Sequence, residues 1–193
     1  MDIRISGRGD IPSGEYDKIS ISGSGHLLGS ICAQSFKSSG TVKGESIECK
    51  ETLKVSGRAL FSGKVKSTEI SVAGSFKTDD SVEANSVKIA GRVKCKGTIK
   101  SNDIKICVEL PSYVGEVNGQ NIQIKRKRLS LMKRKMVVSS EINGDTVSLS
   151  YVSCPVVSGK KVAIGKGCRI GVVRYSEEIQ ISKGAKIGKI EKI

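Results

Sequence analysis

The sequence predicts an all-β fold, a single-stranded β-helix (β-solenoid) with about 17 residues per turn. Three observations predict it. Glycines recur at a nearly constant spacing, apolar residues fall into columns when the repeats are aligned on those glycines, and apolar and polar residues alternate within short strands. The glycines are separated by one step of 16 and then four steps of 17, and they are Gly7, Gly23, Gly40, Gly57, Gly74 and Gly91.

The N-terminal block, residues 1–108, carries the clearest apolar column. Alternation such as Ile70-Ser71-Val72 has a period of two, which indicates a strand with one buried and one wet face. In the second repeat Glu48 interrupts another column and Ile47 stands one place early, so this repeat slips internally. The column thirteen positions after each glycine is apolar in five consecutive repeats: Phe36, Leu53, Ile70, Val87 and Ile104.

A strand of three to five residues buries too little apolar surface to be stable alone, whereas stacked copies bury it against each other about 4.8 Å apart. Seventeen residues accommodate about three short strands and three corners per turn. A β-meander sandwich is the structural alternative, but a sandwich has no reason to keep a constant register of this length. The solenoid is therefore the favoured fold.

An irregular connection is predicted for residues 109–142, because the period breaks at Val108, where a glycine is expected. The basic segment 122–138 lies within it and holds seven basic and no acidic residues, half of the formal net charge of +14. Leu129, Met132 and Met136 have helical spacing, so the segment predicts either a short basic amphipathic helix or a solvated loop. The basic residues of the segment form a predicted patch for binding an anionic surface, and they are Lys125, Arg126, Lys127, Arg128, Lys133, Arg134 and Lys135.

The C-terminal block, residues 143–193, returns to the same period with different residues. Val162 and Ile179 are 17 apart, as are Gly167 and Gly184, and Ile170 and Ile187. Roughly ten turns are expected for the whole chain, which makes a rod of about 48 Å at the inter-strand spacing. We expect the two blocks to form one continuous rod.

The composition argues against an enzyme. The chain has one histidine, His26, so a histidine base or a multi-histidine metal site is almost excluded. No phosphate-binding loop occurs, and no pair of carboxylates is placed by the repeat as an acid–base couple. We therefore expect no catalytic residue, no cofactor and no metal.

The six cysteines show no CxxC spacing, and the start of the chain shows no secretory signal. We interpret the cysteines as reduced, mostly buried small hydrophobic residues in a cytoplasmic protein. A membrane-spanning helix is not expected, because no stretch approaches 18 apolar residues.

The repeats resemble the bactofilins, bacterial polymer-forming cytoskeletal proteins, and the C-terminal part resembles a longer bactofilin-like group of Firmicutes. The resemblance implies a right-handed, three-faced β-helix that assembles end to end into nucleotide-free filaments, often at the membrane. It rests on Ile19–Gly23, Leu53–Gly57, Ile70–Gly74, Val87–Gly91, residues 162–171 and residues 179–193.

Two functional hypotheses follow. The first is a self-assembling scaffold, because an open solenoid end exposes backbone groups and a core cross-section that a second copy can cover. Its predicted self-association residues are Ile3, Ile5, Ile187 and Ile190. The second is a monomeric or dimeric module whose basic segment binds an anionic partner. That partner would be the inner face of the cell membrane, a protein or a nucleic acid. Nucleic acid is less favoured, since no aromatic residue lies between residues 114 and 150 to stack on bases.

Overall fold

The computed structural model describes residues 1–127 and 136–193. It confirms the predicted fold: an all-β solenoid of parallel, stacked coils spaced about 17 residues apart, with about nine turns in the part described rather than ten. All strands belong to one ten-stranded sheet. They are β1 (Ile3–Gly44), β2 (Ser46–Phe61), β3 (Val65–Thr78), β4 (Val82–Val108), β5 (Ser112–Arg126), β6 (Met136–Val138), β7 (Glu141–Leu149), β8 (Val152–Ile164), β9 (Arg169–Ile181) and β10 (Lys186–Lys192).

Each coil carries three pairs of inward-pointing side chains, which define three faces. In one coil, Ala59 and Phe61 belong to face 1, Val65 and Ser67 to face 2, and Ile70 and Val72 to face 3. Within a pair the buried residues are two apart, and between pairs the spacing is three or four. Each change of spacing marks a corner, because strict alternation would keep the strand straight.

The predicted apolar column forms the middle of the core. Its five members, Phe36, Leu53, Ile70, Val87 and Ile104, are at most 1% exposed. Ile47 rather than Glu48 pairs with Val65, which confirms the slip predicted for the second repeat. The register is otherwise regular, with Leu53 opposite Ile70 and Ile70 opposite Val87.

The repeated glycine lies at the corner between face 3 and face 1, where successive coils nearly touch. Gly74 has a φ of +131°, and a Cβ placed on it would lie 2.1 Å from the carbonyl oxygen of Gly57 in the preceding coil. Gly40, Gly57 and Gly91 meet the same obstacle at 1.9–2.2 Å. Glycine is required here because a side chain would collide with backbone.

The structure differs from the predicted irregular connection over residues 109–142. Strand β5 continues the solenoid, with Ile104 opposite Ile122, and β7 pairs with β5, with Ile122 opposite Val147. The sequence separation within these two pairs is 18 and 25, instead of 17. The longer step places an insertion of eight residues, 128–135, at the glycine corner, between β5 and β6. The solenoid therefore passes through the region in register.

The prediction of an amphipathic helix is wrong for Met136, because this residue lies in strand β6 and is fully buried. Leu129 and Met132 lie outside the described residues. The handedness implied by the resemblance stays a prediction.

Candidate functional site

The N-terminal end of the solenoid leaves part of the core uncovered. Ile3 and Ile5 pack against the core but are only half-buried, whereas Ile19 and Ile21, one coil later, are 1% and 2% exposed. Gly7 has a φ of +99°, and a Cβ placed on it would meet nothing within 4 Å. In the interior coils that space holds the carbonyl of the preceding coil, so the end offers room for one more coil.

The C-terminal end has the same character. Strand β10 pairs with β9 along one edge, and no other described strand lies along its second edge. Ile187 is half-buried, Ile190 is 47% exposed and Ile193 is 71% exposed. An edge of this kind presents unpaired N–H and C=O groups beside apolar side chains, which is a template for further strand pairing.

One side-chain hydrogen bond, from Arg174 of β9 to Glu191, links β10 to β9, and Lys189 of β10 contacts the same carboxylate. Glu191 accepts hydrogen bonds from Arg174 Nε at 2.9 Å and from Lys189 Nζ at 2.8 Å. These bonds, first from Lys189 and then from Arg174, lower the pKa of the Glu191 carboxyl. The Glu191 carboxylate is therefore ionised at neutral pH and bridges the two strands.

The four predicted self-association residues thus divide between the two ends of the solenoid, Ile3 and Ile5 at one and Ile187 and Ile190 at the other. The structure places them at the two open ends of the solenoid. Their role in association is taken up below as a proposal.

The described part of the basic patch, Lys125, Arg126 and Lys127, lies where β5 ends at the glycine corner; we call these residues the basic corner. Lys127 Nζ donates to Glu109 Oε1 at 2.8 Å, and this hydrogen bond raises the pKa of Lys127. The Arg126 guanidinium lies 3.8 Å from the centroid of the Tyr151 ring. Lys125 is exposed. The other predicted members, Arg128, Lys133, Arg134 and Lys135, lie outside the described residues.

Sequence reasoning missed the part played by Tyr151. Its backbone has a φ of +58°, which is uncommon for a residue with a side chain, and its carbonyl accepts from the Met136 amide at 3.1 Å. A Cβ on Gly167 would lie 2.5 Å from the ring, so the ring packs directly against that glycine. Tyr151 therefore joins both ends of the insertion to the next coil. Its place two residues after the apolar strand Val147-Ser148-Leu149 was the available signal.

Two of the three described basic residues are thus engaged with protein groups. A cation over a tyrosine ring contributes about 0.5–1 kcal/mol at an exposed site. The exposed pair between Lys127 and Glu109 contributes as little to stability as other surface ion pairs. Both contacts position the corner, and Lys125 remains directed to solvent.

The cysteines are free thiols, and Cys49, Cys95, Cys154 and Cys168 are buried, whereas Cys32 is exposed. Burial raises the pKa of the Cys49 and Cys95 thiols to about 12 and that of Cys154 to about 11. Because the thiolate is the nucleophile and the metal ligand, these three groups are chemically inert at neutral pH. Across the described ranges, no group of three or more His, Cys, Asp or Glu side chains is placed to hold a metal ion.

A surface groove follows face 2 and is lined in part by paired charges. Lys66 Nζ donates to Glu48 at 2.7 Å, and this hydrogen bond raises the pKa of Lys66. Lys64 lies 2.8 Å from Glu83, and its hydrogen bond lowers the pKa of the Glu83 carboxyl. Carboxylates neutralised by neighbouring lysines are poor general bases, since both pKa shifts favour the charged pair. His26 lies elsewhere, exposed on face 1, with Nδ1 3.8 Å from a carboxylate oxygen of Asp10.

Comparison with known proteins gives two matches in one organism. The chain is 36% identical over 84 residues to the uncharacterized protein YhbF of Bacillus subtilis (strain 168), an alignment that covers 42% of this chain and 35% of that protein. It is 28% identical over 81 residues to the uncharacterized protein YhbE of the same strain, covering 39% and 34%. The chain therefore spans about a third of the length of these curated relatives.

No family model matches the chain, and no solved structure matches it significantly. The part of the chain that the structure describes contains no helix long and apolar enough to cross a bilayer.

Proposed function

We propose that the protein is a non-enzymatic scaffold that polymerises end to end without nucleotide, in the manner of the bactofilins that its repeats resemble. One observation carries the proposal. Both ends of the solenoid expose isoleucine side chains beside an unpaired strand edge, whereas the interior coils bury the corresponding side chains and pair both edges.

The interior coils show what an end-to-end contact would gain. Each coil–coil interface consists of parallel backbone hydrogen bonds and columns of inward-pointing apolar side chains. A second copy stacked at the strand spacing of about 4.8 Å would extend both features across the junction. No hydrolysed cofactor is needed, because burial of apolar surface and completion of the strand edge supply the driving force.

A second candidate is a module that binds an anionic surface, such as the inner face of the cell membrane, through the basic corner. The exposed Lys125 at the base of an eight-residue insertion favours it. The engagement of Arg126 by Tyr151 and of Lys127 by Glu109 weighs against it, because these two charges are partly committed within the protein. The two candidates are compatible, since a filament can carry a membrane contact along its side.

Substitution of Ile5 by lysine tests the end contact. Ile5 packs against the exposed end of the core, so a charge there would have to be buried at the junction between two copies. We expect Ile5→Lys to abolish filaments, or to shorten them at least several-fold, in negative-stain electron microscopy. The monomer should keep its fold, because the substituted side chain can reach solvent at the free end.

Ser6→Lys is the matched control. It adds the same charge one residue away, at an exposed position that does not point into the core. Filaments of unchanged length are expected for this variant. Equal filament length in both variants, or equal loss in both, would contradict an end contact through Ile5.

A further inference from the structure

Register pairing places an uninterrupted ladder of outward side chains on face 1. From Lys43 onward nine successive coils contribute to it, five with a cationic residue and none with an acidic one. In the two coils before Lys43 the same outward position holds His26 and Asp10, which are 3.8 Å apart. Eight steps of about 4.8 Å make the ladder about 38 Å long. Its members are, in order, Lys43, Leu60, Lys77, Lys94, Tyr113, Val137, Ser153, Arg169 and Lys186.

A second, shorter ladder lies beside the first on the same face. It runs Thr41, Arg58, Ser75, Arg92 in register and is also without acidic residues. The cations of face 1 come from coils throughout the solenoid. The surface therefore owes its charge to the regular repeats rather than to the inserted segment.

Face 2 arranges its charges differently, and face 3 does so in part. On face 2 the outward ladder alternates in sign, with Glu48 between Cys32 and Lys66 and Glu83 after Lys66. On face 3 Lys88 contacts Glu69 at 3.5 Å, whereas Lys37 and Lys54 are direct register partners and form no ion pair within the described ranges. Face 2 therefore neutralises its cations within the protein, and the contrast between faces 1 and 3 is one of degree.

Face 1 leaves most of its cations unneutralised. Within the described ranges, Lys43, Lys94 and Arg169 form no ion pair, and Lys77 shares Asp79 with Lys96 at 3.5 and 3.0 Å. Lys77 and Lys94 are direct register partners, and like charges opposite each other destabilise a sheet. The contact of Lys77 with Asp79 offsets this repulsion only in part, and an external anionic surface would remove the rest.

Apolar side chains accompany the cations. Away from the two end coils, the large hydrophobic residues exposed on the described solenoid wall are Leu28 (44%), Tyr113 (40%) and Val137 (44%). Tyr113 and Val137 are neighbours in the face 1 ladder, and Leu28 directly follows Leu27, a buried residue of the same face. Cations together with tyrosine and aliphatic side chains suit the headgroup region of a bilayer, where aromatic rings and basic residues are both stabilised.

We propose that face 1 is a binding surface for an anionic lipid bilayer, on which the solenoid lies lengthwise. A nucleic acid fits less well, because the ladder offers a single aromatic ring and single-strand binding uses a series of stacking platforms. The inference extends the second candidate above from the basic corner to a whole face. It does not depend on polymerisation, although a filament would multiply the contacts along its length.

The test is co-sedimentation of the full chain with vesicles of phosphatidylglycerol and phosphatidylcholine, and with vesicles of phosphatidylcholine alone. The variant K43S/K94S/R169S removes three charges from face 1. Each basic residue near an anionic surface contributes about 1 kcal/mol, so we expect binding to the anionic vesicles on the order of 100-fold weaker. The matched control K37S/K54S/K105S removes three charges from face 3 and should weaken binding by less than about fivefold.

Deletion of residues 128–135 separates the face from the inserted segment. It restores the regular step of 17 between Ile122 and Val147, so the coil should close as the others do. We expect the deletion variant to keep at least about a tenth of the wild-type affinity, because the deletion removes four charges but leaves face 1 intact. Loss of binding on deletion, with binding retained by K43S/K94S/R169S, would overturn the proposal in favour of the segment.

A fluorescent reporter identifies the face that meets the bilayer. The chain has no tryptophan, so Tyr113→Trp on face 1 and Gln123→Trp on face 3 each introduce a single one at an exposed position. Emission of the Tyr113→Trp variant should shift to shorter wavelength with anionic vesicles, while that of the Gln123→Trp variant stays unchanged. The reverse pattern, equal binding to both vesicle types, or binding only to a soluble polyanion such as DNA would each overturn the proposal.

Discussion

Gly74→Ala should destabilise the solenoid by at least about 4 kcal/mol, because the new side chain has to displace backbone. The new Cβ would lie 2.1 Å from the carbonyl oxygen of Gly57, which the coil spacing holds in place. The φ of +131° adds strain for any residue with a side chain. Urea unfolding followed by circular dichroism measures the loss.

Gly7→Ala is the control for this substitution. Gly7 occupies the same corner with a φ of +99°, but the space beside it is empty. We expect a cost of about 1–3 kcal/mol from backbone strain alone. If the two substitutions cost the same, the close approach of successive coils is not what makes glycine necessary.

Phe76→Ala should reduce the free energy of unfolding by about 3–5 kcal/mol. Phe76 is fully buried, stands between Ala59 and Val93 of the adjacent coils, and has its ring centroid 6.3 Å from that of Phe61. Hydrogen bonds between coils hold the backbones apart, so the cavity cannot collapse. Denaturant titration measures the change.

The adjacent outward residue supplies the comparison for Phe76. Lys77→Ala removes a partly exposed side chain and one weak ion pair, so a change within about 0.5 kcal/mol is expected. A loss below about 1 kcal/mol for Phe76→Ala would mean that this part of the core is loosely packed.

The sequence was sufficient to predict the repeat and its interior. Period-two alternation with a constant step identified Ile70 and Val87 as buried, and the misplacement of Ile47 identified the slip. What the pattern could not give was the reason for the glycines. That reason is a contact between Gly57 and Gly74 across two coils, which is invisible within one repeat.

The middle of the chain was misread because its coils change length. Ile122 and Val147 follow the column of Ile104 at steps of 18 and 25, so a template with a fixed step of 17 loses them. Residues 125–135 also carry seven basic side chains, a composition that favours a solvated loop or surface helix over a solenoid coil. Eight extra residues at one corner leave the hydrogen-bonded register intact.

The same changes of step concealed face 1. The sequence separation is 19 between Lys94 and Tyr113 and 24 between Tyr113 and Val137, yet each pair lies side by side. Neither spacing is a multiple of the repeat, so alignment on the glycines cannot bring the three together. The ladder can be recognised only from the pairing register of the strands, not from a constant spacing in the sequence.

End-to-end assembly is the central claim, and sedimentation velocity of the unmodified 193-residue chain, without nucleotide and across a range of protein concentrations at moderate salt, tests it most directly. The account predicts species much larger than the 20.5 kDa protomer, growing with concentration as end contacts form. A single species at the mass of the protomer throughout the range would contradict it.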